Sequence, residues 1–437
     1  MLFISQAANI VQQMYQSAIA STTTARKEEA AKRLSYYHDE QSTYIYEKLK
    51  ANFADPAQIT PAFCNIVKKI VNNLAMTYIS PAAREIEGTE QDKKIFAQIV
   101  DSAALDMRMK TASRYVKLLK SLLLRPVWRN NRLDLDILTP DILDVKCGDT
   151  PENLKQVMIT HYPESGKQQE ITYTLWDAET VKTLDYQGRN TATVENPYGV
   201  LPFVPLWDRS PTADFFQSGG DDLICLQEAI SEKLTDLLYV IRFQGFGVGY
   251  TTGFGNAVGT VKVGAGTLLT LPEGGTVGYA QTHAPILEIV NAIDRLIKWA
   301  CVSNGLSAAS MSTEPTEESG VSKIVGNREL DELRLDDMQL FRIYEKRLFD
   351  MMRIVWNTHN NAKKISDSAT LKINFYDPRP ALSAADKAKQ DETELTTGII
   401  SPVDLMLEKD PDIKTREEAL QRLMQIKEET RTLTGTI

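Results

Sequence analysis

The stretch GFGVGYTTGFGNAVG, residues 245–259, puts six glycines into fifteen positions of a chain whose composition is otherwise ordinary. Such density has two physical explanations. It can be a phosphate cradle, which would make the protein a nucleotide enzyme, or a tight β element whose backbones approach closely. A dinucleotide fingerprint needs G-x-G-x-x-G between a strand and a helix. Gly247, Gly249 and Gly253 are spaced G-x-G-x-x-x-G, as are Gly253, Gly255 and Gly259, and residues 260–271 read as a strand. No G-x-x-x-x-G-K-[ST] is present. The spacing favours the tight β element.

The flanks of this zone are helical. Leu223, Leu226, Ile230, Leu234, Leu237 and Ile241 recur every three or four residues, predicting a helix from about Asp221 to Phe243. Pro285 opens a second helix with Ile286, Ile289, Val290, Ile293, Leu296 and Ile297 on one face. The glycine zone is therefore inserted between two amphipathic helices of similar length, which can pack antiparallel with the insertion at their tip.

Upstream, the first ~120 residues read as helical by the same periodicity. Short pieces span Lys27–Tyr37 and Tyr44–Asn52, and a buried face runs through Phe63–Ile79. Further helices are predicted over Lys93–Leu105 and Met109–Leu124. After Pro126 the texture changes to short alternating runs, RLDLDIL, QVMITHY, ITYTLWD and ATVENPYGVLPFVPLW, with turns at Gly148, Gly166 and Gly188. Downstream, LSAASMSTEPTEESG is a polar loop around Pro315. A very long helix follows, from about Val321 to Asn357, near 55 Å at ~1.5 Å per residue. TLKINFYDP is a strand, and helices punctuated by Pro402 and Pro411 end the chain. The fold class is α+β.

The 437 residues, 43% hydrophobic and 24% charged, suit a sizeable folded core. The N-terminal run lacks a basic segment and is broken by glutamines. Ile4, Ile10, Val11, Tyr15 and Ile19 instead suit one helical face. No stretch approaches the ~20 apolar residues of a membrane span, so no membrane association is expected. A net charge of −9 lacks the basic footprint of a sequence-specific DNA binder. It does not exclude DNA, because a surface past which DNA slides should avoid phosphate contacts.

Other constellations point to no chemistry. Cys64, Cys147, Cys225 and Cys301 are far apart and form no C-x-x-C, so no metal is expected. No G-x-S-x-G occurs. His38 beside Asp39 reads as a surface pair, Asp134 and Asp136 as solvated acids on one strand face, and Asp336–Asp337 and Glu317–Glu318 as adjacent acids off helical pairing. No catalytic residue and no cofactor is nominated, and the protein is not expected to be an enzyme.

The order of elements resembles the portal proteins of tailed bacteriophages, of the siphophage type. Three stretches carry the resemblance: NPYGVLPFVPLW (196–207), SGVSKIVGNRELDEL (319–333), and the run from INFYDPRPALS through TGIISPVDLM to EEALQRL (373–423). The resemblance implies a multi-part protomer. Residues 1–220 would be a wing of helices and a β layer, 221–244 a first stem helix, 245–282 a clip, and 283–304 a second stem helix. Residues 305–322 would be a tunnel loop, 323–380 a long tunnel helix with a returning wing strand, and 381–437 C-terminal helices forming a small crown.

It further implies a closed ring of about twelve copies at one capsid vertex of the virion, assembled in the host cytoplasm. Double-stranded DNA would pass without sequence specificity during packaging and ejection. The implied partners are the terminase large subunit, head-completion and adaptor proteins, and major capsid and scaffold proteins. The clip residues would be Phe246, Tyr250, Phe254, Asn256, Lys262 and Glu273. The tunnel loop would present Ser310, Ser312, Glu314, Thr316, Glu317, Glu318, Ser322 and Lys323, its acids forming a ring that repels DNA. Gly326 would kink the tunnel helix. Two alternatives are another head–tail adaptor or minor head protein, usually shorter and without paired stem helices, and a nucleotide enzyme built on the glycines.

Overall fold

A computed structural model describes residues 11–50, 60–246, 248–252, 276–280, 285–308, 320–376, 384–409 and 415–434. The chain divides into two compact units, Met1–Thr316 with Gly326–Tyr376, and Glu317–Val325 with Asp377–Ile437. Among the described residues no helix is long and apolar enough to cross a membrane.

The first unit opens with α1 (11–18), α2 (Ser21–Tyr37), α3 (Ser42–Leu49) and α4 (Ile66–Leu74). Strand β1 (Ala83–Glu87), α5 (Glu90–Ser102) and α6 (Leu105–Leu119) follow. The β layer has two parts. Strands β2 (Ser121–Arg129), β3 (Arg132–Leu138) and β9 (Val204–Trp207) form one antiparallel sheet in the order β3-β2-β9. Strands β4 (Leu143–Cys147), β5 (Leu154–His161), β6 (Thr172–Trp176), β7 (Thr180–Leu184) and β8 (Asn190–Glu195) form a five-stranded antiparallel meander. The architecture is α+β, with α7 (Asp221–Phe246), the hairpin β10 (Val248–Thr252) and β11 (Thr276–Ala280), α8 (Ile286–Ser303), α9 (Gly320–His359) and β12 (Thr370–Asn374) completing it.

Several sequence-predicted boundaries shift, each for a local reason. Helix α5 starts at Glu90 because Thr89 and Asp92 form a reciprocal capping box. It stops at Ser102, and Leu105 belongs to α6 after Ala104 turns left-handed at φ 46°. The helix predicted to Leu124 ends at Leu119, where Lys120 caps it at φ 69°. Leu122, Leu123 and Leu124 are instead fully buried strand residues. A strand covered on both faces shows no alternation, so this leucine run reads as more helix. Helix α4 is shorter than predicted because the Asn65 side chain caps it by accepting from the N–H of Lys68. Val11 and Tyr15 are buried as expected, whereas Ile19 is 43% exposed.

The main core lies between α5, α6, the β2 sheet and α9, with Leu105, Met109, Leu122, Leu133, Leu348 and Val355 at most 1% exposed. Polar rivets hold α9 in it. The Tyr344 hydroxyl donates to the carbonyl of Trp207 at 3.1 Å and accepts from its N–H at 3.3 Å. Glu345, wholly buried, takes both a fork from Arg84 (2.7 and 3.0 Å) and the Tyr78 hydroxyl (2.7 Å). Such a pair is costly to break, since one partner alone leaves a buried charge.

In the second unit, α10 (Ala384–Thr397) ends at Gly398, whose φ of 72° suits only a residue without Cβ strain. Ser401 then starts α11 (Pro402–Lys409), its hydroxyl accepting from Asp404 N–H while Asp404 accepts from Ser401 N–H at 3.0 Å. The G-I-I-S stretch is thus a stop and a start in four residues. Helix α12 (Arg416–Thr434) packs on α11, and Arg416 pairs with Asp404 at 3.1 Å.

Candidate functional site

The candidate site is the pair α7 and α8 with its β10–β11 hairpin. Leu223 and Ile224, in the first turns of α7, share one apolar cluster with Ala300 and Cys301, in the last turn of α8. The two helices therefore run antiparallel, with that end in the body and the hairpin at the other. Strands β10 and β11 pair antiparallel from Val248↔Ala280 to Thr252↔Thr276. The glycine zone thus passes from helix to strand, and Gly249 lies within β10. That order is the reverse of the strand-to-helix turn of a dinucleotide site.

The body end of α7 is held by polar side chains. Gln227, Ser231 and Thr235 occupy successive turns of one buried stripe. Gln227 Oε1 accepts from the N–H groups of Ile66 (2.8 Å) and Val67 (3.3 Å), while its Nε2 donates to Cys64 O at 3.0 Å. Thr235 Oγ1 accepts from Ala62 N–H at 3.0 Å. The segment leading into α4 is thereby fixed on α7. Next to it, Glu228 takes Lys32 at 2.6 Å and Lys48 at 3.0 Å, and accepts from the Tyr36 hydroxyl at 3.1 Å. Burial pushes the Glu228 carboxyl up, but the two ammonium groups outweigh it and hold it below its ordinary value. Burial and the charge of Glu228 push the Tyr36 phenol far up, so it stays a donor.

Before α7, Gly219 and Gly220 adopt φ of 122° and 88°. Arg33 locks the turn by donating to Gly219 O at 2.7 Å and pairing with Asp221. Earlier still, Asn196 shapes the NPYG turn. Its Nδ2 donates to Asp177 O and Val200 O, both at 2.9 Å, and its Oδ1 accepts from Tyr198 N–H at 3.1 Å.

The helix pair is bare on part of its surface at both ends. Toward the hairpin, Leu238 and Ile241 on α7 are 52% and 46% exposed and Leu287 on α8 is 69% exposed, while Trp299 and Val302, beside Ala300 and Cys301 at the body end of α8, are 60% and 61% exposed. Isolated exposed apolar residues are ordinary, so the notable feature is that five large ones lie on one two-helix arm. On α8 cover reaches a stripe through Ile286, Ile289, Ile293, Leu296 and Ile297 and the buried Ala300 and Cys301, and Val290 is 37% exposed.

The expected site residues fall as follows. Phe246 ends α7 and Tyr250 lies on β10. Phe254, Asn256, Lys262 and Glu273 lie outside the described residues, as do Ser310, Ser312, Glu314, Thr316, Glu317 and Glu318. Ser322 and Lys323 sit in the first turn of α9, which starts at Gly320, so the loop predicted to 322 ends earlier. Gly326 lies inside that helix, where the division between the two units passes.

His38 and Asp39 are a satisfied surface pair as expected, whereas the acids at 134, 136 and 337 are held more firmly than a solvated face would be. His38 Nε2 meets the Tyr115 hydroxyl at 3.0 Å, and Asp39 takes Lys68 and Asn65, both at 2.7 Å. Asp134 and Asp136 do share a face, but Arg129 reaches both and Arg125 takes Asp136 at 2.6 Å. Asp337 is buried on Lys117 at 2.8 Å, and Lys117 also takes Asp208 at 2.8 Å. Burial raises the Asp337 carboxyl to about 6 despite that ammonium. Among the described residues no cluster of His, Cys, Asp or Glu could hold a metal ion.

No protein-family model and no curated protein matches the chain. Similar solved chains include one from the virion of a native gene transfer agent particle, at TM-score 0.45 and 11% identity, covering 84% of this chain and 92% of that one. Others come from the neck of the native particle computed with C12 symmetry (TM-score 0.43, 11% identity, 82% and 91% covered) and the neck of the empty particle computed with C6 symmetry (0.40, 11%, 84% and 92%). Scores of this size do not establish a shared fold.

Proposed function

We propose that the chain is the portal protein of a tailed-phage-type particle, a ring at one capsid vertex through which DNA enters and leaves. The observation that carries this reading is the antiparallel α7–α8 arm, fixed in the body at one end, bearing an antiparallel hairpin at the other, and uncovered along its apolar outer faces. In a ring each arm is covered by its neighbours, a closed heterologous contact. The arm is then the stem, the hairpin the clip where the terminase and head-completion proteins dock, and α9 the channel wall. The second unit is the small crown.

On this reading the protein does no catalysis. It supplies a path, and its acidic loop before α9 keeps DNA from sticking. The test is a reconstruction of the purified assembly by electron microscopy. Cyclic symmetry with α7 and α8 lining a central channel supports the proposal. An assembly with the α8 face carrying Trp299 open to solvent would refute it.

A further inference from the structure

Strand β1 pairs only with β12, in a two-stranded sheet from Ala83↔Asn374 to Glu87↔Thr370. In an antiparallel pair, alternate residues turn both N–H and C=O away from the partner strand. Among the described residues no further backbone hydrogen bond reaches β1. Sheet edges are normally blunted, and the first edge of the five-stranded sheet is, because Arg26 donates to Leu143 O at 2.7 Å. The edge of β1 instead opens into a groove of about 420 Å³ walled by α5. This is within the size of natural ligand sites, ~300–1,000 Å³.

We propose that this groove takes an extended, basic peptide segment of a partner protein as a third strand on β1. The proposal is independent of the portal reading. Ala97 and Val100 of α5 offer small apolar contacts, over a floor of Phe96 and Ile86. From Lys93 to Asp101 the helix wall spans ~12 Å, enough to run beside about four strand residues at ~3.3 Å each. The charges of the groove are unbalanced. Arg84 is consumed by Glu345 and Asp106, and Lys93 by Glu90 at 2.7 Å. Glu85 and Asp101 also line the groove. Glu85 faces Lys372 across the β1–β12 pair and feels Lys93, but each of those ammonium groups is already paired with another acid, Glu87 and Glu90. The lining carries three carboxylates, Glu85, Asp101 and Asp106, against two cations, Arg84 and Lys93, and this acidic excess beside a bare strand edge selects a peptide with lysine or arginine side chains and main-chain groups free to pair.

The test uses the full-length protein and fluorescent peptides acetyl-KVKVKV-amide, acetyl-EVEVEV-amide, and the basic peptide N-methylated at every residue so that neither edge can donate, read by anisotropy. The expected result is saturable binding of the basic peptide, weakened about tenfold, or ~1.4 kcal/mol, by Glu85→Lys with Asp101→Lys. N-methylation should abolish it, and amide exchange at Arg84–Ile86 should slow when it binds. Both substituted residues are surface acids, and circular dichroism checks that the variant folds. Absence of saturation up to about 1 mM overturns the proposal, as does equal binding of the acidic or the N-methylated peptide.

Discussion

Gln227 Oε1 accepts a hydrogen bond at 2.8 Å from the backbone N–H of Ile66, 161 positions earlier in the chain. One buried amide on α7 thus supplies a missing partner at the start of α4 and, through Nε2, satisfies Cys64 O. Replacing Gln227 with Leu leaves two N–H groups and a carbonyl without that partner. Each such group costs ~1–3 kcal/mol. Gln227→Leu should lower unfolding free energy by about 3 kcal/mol, measured by urea titration. A neutral effect of Gln227→Leu would show that this clasp does not hold α7.

The buried acid on α9 gives a pH signature. Asp337 sits at about 6 in the folded chain, above the ~3.9 of an unfolded aspartate. The folded state therefore keeps its proton longer. The associated stability is fully present below about pH 4 and is lost as pH rises through about 6. Asp337→Asn should flatten the stability curve between those values, with Lys117 retaining Asp208. Parallel curves for the two proteins, from thermal unfolding at stepped pH, would contradict this assignment.

The bare arm predicts where assembly is vulnerable. Leu287→Asp and Trp299→Asp alter residues 69% and 60% exposed in the single chain, so its folding should change by less than about 0.5 kcal/mol. Buried between neighbours, the same charges should reduce ring formation at least tenfold in concentration, read by mass photometry. Rings of unchanged stability would place this face in solvent.

Much of this layout was legible in the sequence. The three- and four-residue steps from Leu223 to Ile241 mark α7, and Pro285 marks the start of α8. Strand β3 is RLDLDIL itself. What stayed hidden depends on distant partners. Strand β1 has only Ile86 and Arg84 turned inward, and Arg84 reads as a surface charge until Glu345 is beside it. Strands β4 and β7 are short and half polar, and the turn at Lys120 uses no glycine. At the candidate site, the apolar stripes were visible but not which faces stay uncovered. Gln227 and Thr235 carry no local signal, because they bind the backbone before and at the start of α4, while Ser231 bonds Gln227 within α7.

The acidic run Glu314, Glu317 and Glu318 in the sequence before α9 makes a prediction about DNA. On the portal reading Glu317→Lys with Glu318→Lys replaces repulsion by phosphate contacts. Retention of DNA by rings should rise at low salt and fall more steeply as salt increases. Filter binding across a salt series reads this directly, and an unchanged salt slope would remove these residues from the channel.

The central claim is a ring, and native mass with symmetry tests it most directly. Mass photometry of the purified protein, with negative-stain class averages, should show closed rings of about a dozen copies around a central hole. A mass of one or two chains at every concentration, with no ring in any class average, would contradict it.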